Sequence, residues 1–498
     1  MKIPLNVDKT VYLGSAKRPL REDENGRATE INLASFRRVH MRSFWLSTLG
    51  FFAAFTAWFA TTTLLPSIKA DTGISDASAS ASDIANVSSN IVFRIMVGPL
   101  LDAWGSRRVM SALLISGSLA LIGSAGVTNG VGLIVSRTFI GLLGAVFVPC
   151  QYWTQSLFSY NVVGAANALS AGWGNLGAGV AYLVTPQIHN LLTFLGVSAS
   201  ASWRLTLLFP AIFGLLAAAL CLAFGDDRPI SAGFDPHALS DGVILDKNPS
   251  DVTVATVIND PASSETHRPV KTSLFQEVFS FVKLSFSPTV LILMFMYACS
   301  FGVELCVDSK LGAYLSAHFL RPDCDPTTDV NKCQYLNQST AGLLGSTFGL
   351  LNLFTRALGG FVSDYAASRS QHRLVGRLIV QLVVLLVNGA ALILFSYMTD
   401  LASAMAVLVI FSILTEAACG TTFALVPFVD PWRKGAVSGL VGAGGNIGGA
   451  LFNVLFQAYL NDPSKGFFIM GVIVAVSSLL TFCLSIGGVR GWREMCGR

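Results

Sequence analysis

Residues 94–102 read RIMVGPLLD, and the same polar spacing returns at residues 356–364 as RALGGFVSD. Each copy places three residues at intervals of four: Arg94, Gly98 and Asp102 in the first, Arg356, Gly360 and Asp364 in the second. An asparagine flanked by glycines also occurs twice, as GNLG at 174–177 and GNIG at 445–448. Repeats roughly 260 to 270 positions apart indicate two related halves. One cation and one amide at matching places in both halves predict a pseudo-symmetric site for a small anion inside a membrane.

The composition is that of a protein whose solvent is mostly lipid. Hydrophobic residues make up 52% of the chain and charged residues only 12%, and the mean hydropathy is +0.60. A soluble globule of 498 residues needs more polar surface than this, so that class is excluded. The 46 glycines fit membrane helices, which pack backbone to backbone without a hydrophobic drive between them.

About twelve apolar stretches have the roughly twenty residues that a bilayer requires. We predict helices at residues 44–67, 84–103, 108–127, 131–156, 161–190, 203–224, 286–307, 338–363, 375–397, 401–428, 436–460 and 466–487. The predicted parts are an N-terminal tail (1–43), a six-helix bundle (44–224), a polar central loop (225–285), a second six-helix bundle (286–487) and a C-terminal tail (488–498). The predicted fold class is therefore an all-α membrane protein with two pseudo-symmetric bundles.

The placement of basic residues predicts that both termini and the central loop are cytoplasmic. The first 43 residues hold nine Lys or Arg and lack the apolar core of a signal peptide. Basic residues recur in every second loop, and the intervening loops hold few. This orientation places the loop after the seventh helix outside the cell.

That outer loop carries candidates for covalent modification. Cys324 and Cys333 are candidates for a disulfide, and Asn337-Gln338-Ser339 is a glycosylation sequon. The alternatives are that the cysteines stay reduced and that Asn337 lies too close to the eighth helix to be used. Together with the long central loop, these features favour a eukaryotic plasma-membrane protein.

The loop after the second helix carries the first family resemblance. Residues 98–108 read GPLLDAWGSRR, which resembles the major facilitator superfamily motif G-x-x-x-D-x-x-G-x-R-[RK], with Arg107 at its first basic position. Gly360 and Asp364 belong to a degraded copy. The motif implies a latch in which Asp102 accepts from the N-terminus of an adjacent helix or pairs with basic residues while the inner gate is shut. Ordinary charged loop residues are the alternative.

Within that superfamily the chain resembles the nitrate/nitrite porter family. The stretch AGWGNLG at 171–177 looks like that family's nitrate signature, and GAGGNIGG at 442–449 looks like its second copy. In the family the corresponding arginines bind substrate, so the resemblance implies that role for Arg94 and Arg356. A flat oxyanion suits two planar guanidinium groups, which can donate in their own plane. Structural pairing of each arginine with a distant acid is the alternative.

The asparagine motifs allow two roles. Asn175 and Asn446 either donate to the anion or bond to neighbouring helices. Their flanking glycines, which are Gly174, Gly177, Gly445 and Gly448, are predicted to let helices approach closely and slide during alternating access.

Three further residues are candidates by resemblance. Tyr314 matches a family tyrosine position and either reaches the anion or anchors a helix end. Arg137 matches a superfamily pattern linked to proton coupling, with helix anchoring as the alternative. Glu304 lies in a family stretch and is a candidate proton carrier; Asp308 and Lys310 follow closely, and an internal ion pair within this cluster is the alternative.

No nucleotide loop and no metal-ligand spacing is present, so we predict a secondary transporter, not an enzyme, with no cofactor and no metal. The expected function is proton-coupled import of nitrate, with nitrite as a second candidate substrate. Nitrate/nitrite exchange and a nitrate sensor on a transporter fold stay open as alternatives. Predicted partners are nitrate, protons and the lipid bilayer; no nucleic acid is expected, and an accessory subunit is left open.

Overall fold

The structure is a computed structural model that describes residues 11–227, 274–319, 335–336, 338–459 and 462–495. Cys324, Cys333 and Asn337 lie outside these residues, so the predicted disulfide and glycan stay predictions. Most of the central loop also lies outside them. The described residues are predominantly helical.

The first half contains eight helices that form the first six predicted spans. They are α1 (His40–Thr63), α2 (Leu65–Thr72), α3 (Asp76–Trp104), α4 (Ser106–Ser124), α5 (Gly130–Gly144), α6 (Phe147–Leu157), α7 (Val163–Phe194) and α8 (Ala199–Phe224). The fourth span is broken into α5 and α6, and α2 is a short helix that follows the first span. The second span begins at Asp76, eight residues before its predicted start, because the stretch rich in Ser and Ala continues the helix.

The second half forms the other six predicted spans. Its helices are α9 (Leu274–Ser285), α10 (Pro288–Ala298), α11 (Phe301–His318), α12 (Gln338–Leu350), α13 (Asn352–Arg369), α14 (Arg373–Ser396), α15 (Leu401–Leu425), α16 (Lys434–Ala458), α17 (Pro463–Ser477) and α18 (Gly491–Met495). The seventh span is α10 with α11, and the eighth is α12 with α13. Short 3₁₀ helices follow α15 (Val426–Phe428) and α17 (Ser478–Cys483).

Nine helical segments among the described residues are long and apolar enough to cross a bilayer. The other three predicted spans are also helical but carry more polar residues: they are α4, α7 and the α12–α13 pair. These include the helices of Asn175 and Arg356, whose polar side chains lower the mean hydropathy. The predicted all-α membrane fold is confirmed.

Helix N-termini on one face of the bundle are closed by side-chain caps. Ser75, Asn129, Ser198, Asp400 and Asp462 each accept from a backbone N–H in the first turn of the following helix. We call this the opposite face. The other face carries the start of α1 at His40 and the end of the last 3₁₀ helix at Cys483, and we call it the terminal face.

The halves meet along two symmetric helix pairs, α3 with α16 and α7 with α13. Glycines let the backbones approach: a Cβ on Gly435 would lie 2.4 Å from Gly98 O, and one on Gly360 would lie 2.3 Å from Gly164 O. Neither distance is sterically tolerable, and both contacted atoms are backbone oxygens, so Gly435 and Gly360 are required whatever residue faces them. The contact pairs use equivalent helices of the two repeats.

The N-terminal segment 11–39 packs on the terminal face. Its strands β1 (Val11–Tyr12) and β2 (Ile31–Asn32) pair in parallel. Ala28 donates to Leu157 O and accepts from Ser159 N, both at 2.9 Å, which joins the segment to the end of α6. At the other terminus, β3 (Ser485–Ile486) and β4 (Val489–Arg490) form a hairpin after the last 3₁₀ helix.

Candidate anion site

Arg94 is fully buried on α3 and is held by backbone carbonyls. Its Nε and Nη2 donate to Gly144 O at 3.1 and 3.0 Å, and its Nη1 donates to Gly442 O at 2.8 Å. The break between α5 and α6 frees the Gly144 carbonyl, because Val148 N bonds to Ala145 O instead. No carboxylate of the described residues pairs with Arg94, so its positive charge is solvated by dipoles alone.

Asn446 lies beside the same guanidinium. With the amide orientation that satisfies both groups, its side-chain oxygen accepts from Arg94 Nε at 3.0 Å and Nη1 at 2.9 Å. Asn446 belongs to α16 and Arg94 to α3, so this contact joins the two halves. The asparagine therefore orients the arginine.

Arg356 has the opposite kind of environment. It is 1% exposed on α13, and its Nη2 donates to Glu304 Oε2 at 2.6 Å. Glu416 Oε2 lies 3.7 Å from its Nε. Two carboxylates from α11 and α15 thus share one guanidinium. Both acids are distant from Arg356 in the chain and belong to other helices.

Glu304 is the centre of this cluster. Its Oε1 accepts from Asn175 Nδ2 at 3.0 Å and from Asn352 Nδ2 at 2.7 Å. The contact with Asn175 joins α7 of the first half to α11 of the second. An ion pair is present at Glu304, as the alternative had it, but the cation is Arg356 and not Lys310. Both motif asparagines therefore support the buried arginines. Asn446 bonds to Arg94 directly, and Asn175 bonds to Glu304, the acid that binds Arg356.

An aromatic wall separates the two guanidinium groups. The Cζ atoms of Arg94 and Arg356 lie 5.4 and 5.6 Å from the centroid of the Phe301 ring. The centroid of the Phe147 ring lies 5.0 Å from Arg94 Cζ, and the Phe147 and Phe301 rings stack with their centroids 6.3 Å apart. Tyr297 stacks on Phe301 with an interplanar angle of 6°, and its hydroxyl is buried without a hydrogen-bond partner. Ring faces attract cations, so these rings stabilise the two buried guanidinium groups and exclude water from them.

The cluster borders a small space of about 150 Å³. Arg356, Tyr297 and Asn167 supply its polar lining, and Phe147, Cys419 and Phe423 are among its other lining residues. The space admits no water-sized sphere in this conformation. An anion therefore reaches Arg356 only after a local side-chain or helix movement.

Glu304, Glu416 and Cys419 also converge, with their ligand atoms within 4.8 Å of one another. Such a group could in principle hold a metal ion. The Arg356 guanidinium already occupies the cation position at Glu304, so we assign no metal to it.

The predicted latch residues lie where the halves meet at the terminal face. Asp102 accepts from Gly435 N and Ala436 N, at 2.9 and 3.0 Å, in the first turn of α16. Asp364 accepts from Gly164 N and Ala165 N in the first turn of α7, at 3.2 and 2.7 Å. Helix N-termini leave such N–H groups unsatisfied and favour negative charge. Each aspartate thus joins one half to the other.

Arg107 has a local role instead. Its backbone N donates to Asp227 Oδ1 at 2.7 Å, and its guanidinium donates to Leu222 O, so it ties α4 to the end of α8 within one half. Burial raises the pKa of the Asp227 carboxyl, partly offset by the hydrogen bond from Arg107 N. Asp102 therefore connects the two halves, whereas Arg107 makes its contacts within one half.

The four motif glycines pack inside their own halves. Cβ atoms on Gly174 and Gly177 would meet Phe51 and Phe52 of α1, and those on Gly445 and Gly448 would meet Tyr297 and Ala298 of α10. The close approach is as predicted, but sliding between the halves would instead involve the glycines of the α3–α16 and α7–α13 contacts.

Tyr314 and Arg137 lie apart from the arginines. Tyr314 is ten residues beyond Glu304 on α11, which is roughly 15 Å along a helix, and its hydroxyl lies 3.4 Å from Ser464 Oγ. Arg137 pairs with Asp83 Oδ1 at 2.7 Å and donates to Thr62 at 2.8 Å, linking three helices of the first half. These contacts match the anchoring alternatives for both residues.

Sequence reasoning gave no role to Glu416, Tyr297 or Asn352. A carboxyl within an apolar span is itself a signal of function, so Glu416 was recognisable as unusual, but nothing in the sequence named its partner. Tyr297 and Asn352 carry no such signal, because tyrosine and asparagine are common enough in helices.

Comparisons with known proteins agree with this architecture. The Major Facilitator Superfamily matches residues 47–453. High affinity nitrate transporter 2.5 of Arabidopsis thaliana is 32% identical over 463 residues, which cover 93% of this chain and 83% of the relative. Nitrate transporter 2.1 of Chlamydomonas reinhardtii is 32% identical over 474 residues, covering 94% and 78%.

Among solved structures, the E. coli fucose:proton symporter aligns with a TM-score of 0.59 at 14% identity, covering 89% of this chain and 98% of that one. This likeness shows the fold alone. The superfamily match spans most of the chain, and the two nitrate transporters align with nearly all of it. The chain is therefore a multi-pass membrane transporter, not an enzyme, and belongs to the nitrate/nitrite porter family of the major facilitator superfamily.

Proposed function

We propose that this protein imports nitrate by proton symport, with Arg94 and Arg356 as the anion-binding groups. The observation that carries the proposal is the pair of buried guanidinium groups on equivalent helices, both within 5.6 Å of the Phe301 ring. The relatives named above are nitrate transporters, which supports nitrate as the substrate. Nitrite, a smaller planar anion of the same charge, is a second candidate for the same site.

The chemistry of the site suits a flat monovalent oxyanion. A guanidinium donates two parallel N–H groups in one plane, which a planar oxyanion can accept bidentately. Arg356 Nε and Nη1 are buried and make no hydrogen bond among the described residues. Each edge of the guanidinium that could bind an oxyanion bidentately also includes Nη2, which donates to Glu304 in this conformation. Because the surrounding wall is aromatic, the binding energy comes mainly from these few donors.

Proton coupling is supported by the contact between Glu304 and Arg356. An ionised Glu304 occupies the guanidinium edge that nitrate would use and repels the anion. A proton on Glu304 removes that charge and frees Arg356. In this scheme nitrate binds together with a proton, and return of the empty carrier restores the 2.6 Å ion pair.

Alternating access would operate through the latches. The four backbone N–H bonds to Asp102 and Asp364 close the terminal face. Basic residues are concentrated in loops of this face, which supports a cytoplasmic location for it and for both termini. We place the protein in the plasma membrane, where net import of nitrate is the useful activity, and retain the predicted division into two bundles, a central loop and two tails.

The proposal is tested by conservative arginine variants. Arg94→Lys and Arg356→Lys keep a positive charge but lose the planar donor pair, so we expect each to reduce labelled nitrate uptake in oocytes at least tenfold, about 1.4 kcal/mol. Arg204→Lys is the matched control, because Arg204 pairs with Asp71 at the opposite face. Surface protein is measured in parallel.

Normal uptake by both site variants, at normal surface levels, would remove the two-arginine site. Uptake that requires internal nitrite and ignores the proton gradient would support exchange in place of symport. Nitrate binding without any flux would instead indicate a sensor.

A further inference from the structure

Glu416 has no function in the scheme above, yet its position is unusual. The residue is 0% exposed on α15, in the middle of a membrane-spanning helix. While Glu304 is ionised, neither carboxylate oxygen of Glu416 has a hydrogen donor among the described residues. Its only ion pair there is the 3.7 Å contact between Oε2 and Arg356 Nε. A buried carboxylate with two unsatisfied oxygens is costly and needs an explanation.

The charged groups around Glu416 come from two other helices. On α11, Glu304 lies with an oxygen within 4.8 Å, and Asp308 is one turn further toward the opposite face. On α13, Arg356 is the nearby cation. On α14, Arg377 is engaged by Asp364 at 2.6 Å, at the terminal face. Cys419, which lies on α15 with Glu416, donates to Glu304 Oε2 at 3.5 Å.

We infer that Glu416 is a second proton-binding site, so that Glu304 and Glu416 each take up one proton when nitrate binds to Arg356. This inference rests on the proposed proton symport and deepens it. The Arg356 guanidinium faces Glu304 at Nη2 and Glu416 at Nε. A nitrate bound to an edge of this group lies against both carboxylates, and each repels the anion while it is ionised. Glu416 acts through Arg356 and is a positioning residue for the anion.

The charges of the site then account for electrogenic import. In the empty site two arginines and two carboxylates sum to zero, which suits a low-dielectric interior. In the loaded site both carboxyls are protonated, and two arginines with one nitrate leave a single positive charge. The loaded carrier therefore moves inward with the membrane potential, gaining about 2.3 kcal/mol per 100 mV. With one proton the loaded site would be neutral and import would be electroneutral.

The test is the ratio of charge to nitrate, measured as current and labelled nitrate uptake in the same voltage-clamped oocyte. We expect wild-type protein to move about one positive charge per nitrate, and Glu416→Gln, which cannot take up the proton, about zero. Thr415→Val is the matched control: Thr415 is the buried neighbour in sequence, bonded to Asn388 at 3.0 Å on α14, and its loss should leave the ratio unchanged.

A ratio near one in Glu416→Gln would overturn the inference and leave proton symport standing. Nitrate uptake by the wild-type protein that increases at acidic pH but carries no net charge would also overturn the inference and leave proton symport standing. A wild type whose uptake ignores pH would instead remove the proposed symport itself.

Two further measurements test the inference if Glu416→Gln shows low net uptake of nitrate. Exchange of labelled for unlabelled nitrate needs no net proton movement, so Glu416→Gln should retain it; loss of exchange at normal surface levels would show a binding role and overturn the inference. If Glu416→Gln does not reach the surface, Glu416→Asp keeps the carboxyl and should shift the pH dependence of uptake. An unchanged pH profile there contradicts a proton site at Glu416.

Discussion

The two arginines of the repeat are equivalent in sequence but not in their chemistry. Arg94 is surrounded by carbonyl and amide oxygens and keeps its full charge, whereas Arg356 is shared by Glu304 and Glu416. In the proposed scheme, Arg94 provides a constant attraction for the anion, whereas Arg356 becomes available only when its acids are neutralised. The proposal thereby assigns anion attraction and proton coupling to different arginines of one pseudo-symmetric site.

The two motif asparagines should differ in the same way. Asn446→Ala removes the oxygen that orients Arg94, so we expect KM for nitrate to rise about tenfold, the loss of one hydrogen bond to a charged group. Asn175→Ala removes a contact to Glu304 and should lower the maximal rate while changing KM by less than about twofold. Concentration series of labelled uptake measure both. Equal effects on KM would contradict the division of roles.

The residues of the candidate site could be predicted from the sequence only in part. The arginines and asparagines are recognisable because each recurs at matching positions. Their partners are not, since Glu304 and Glu416 reach Arg356 from helices that are distant in the chain. Such contacts depend on how spans cross, and the spacing within one helix carries no information about that.

The helices of the two halves are joined by one kind of contact, which occurs twice. In each half an aspartate at the end of one helix accepts from the first N–H groups of a helix in the other half. Glycines beside both contacts allow the backbones to meet. The motif predicted the aspartates, but the partner glycines Gly164 and Gly435 and the break that frees Gly144 O were recognisable only in the structure.

Neutralising a latch should open the terminal face. Asp102→Asn loses the charge and one of two acceptors, which weakens the contact by about 1.5 to 3 kcal/mol, roughly tenfold or more in the closed-to-open equilibrium. We expect faster labelling of Ser438→Cys, a buried position at this interface, by an impermeant maleimide applied from the terminal face. Asp400→Asn is the control, because Asp400 caps α15 within one half. Equal labelling in all three backgrounds would contradict the latch.

Over the whole molecule, the N-terminal segment is joined to the first bundle through Asp226. The carboxylate accepts from Arg38 at 2.9 Å and Arg42 at 2.8 Å. Partial burial tends to raise the pKa of Asp226, but the hydrogen bonds from the two arginines outweigh it and lower the pKa. From the sequence, residues 1–43 are predicted only as a tail, because their basic residues and scattered short apolar runs form no periodic pattern that would indicate a helix or a strand.

This ion pair should stabilise the protein except in strong acid. Because the folded pKa lies below the unfolded value of about 3.9, the contribution is present above that pH and is lost as pH falls through the folded pKa. Asp226→Asn should lower Tm in detergent by about 1 to 2 °C, a small effect because both arginines are partly exposed. The Tm difference should be constant from about pH 5 to 8 and shrink below about pH 4. Asp76→Asn, at an exposed site on the opposite face, is the control, and a Tm difference that grows toward acid pH would contradict this sign.

The order of spans and the two-fold repeat were predictable, since hydropathy and spacing report them directly. The breaks within the fourth, seventh and eighth spans were not, because residues such as Ala145, Ser300 and Leu351 continue an apolar pattern across them. These breaks supply the Gly144 carbonyl and set Phe301 and Asn352 at helix starts. The site thus depends on irregularities that a periodic pattern conceals.

The most direct test adds nitrate to voltage-clamped oocytes that express the wild-type protein, at about pH 5.5 and about pH 7.5, between which the proton concentration differs about 100-fold. The account predicts an inward current that is larger at the acidic pH and accompanies uptake of labelled nitrate. Uptake of labelled nitrate with no current and the same rate at both pH values would contradict it.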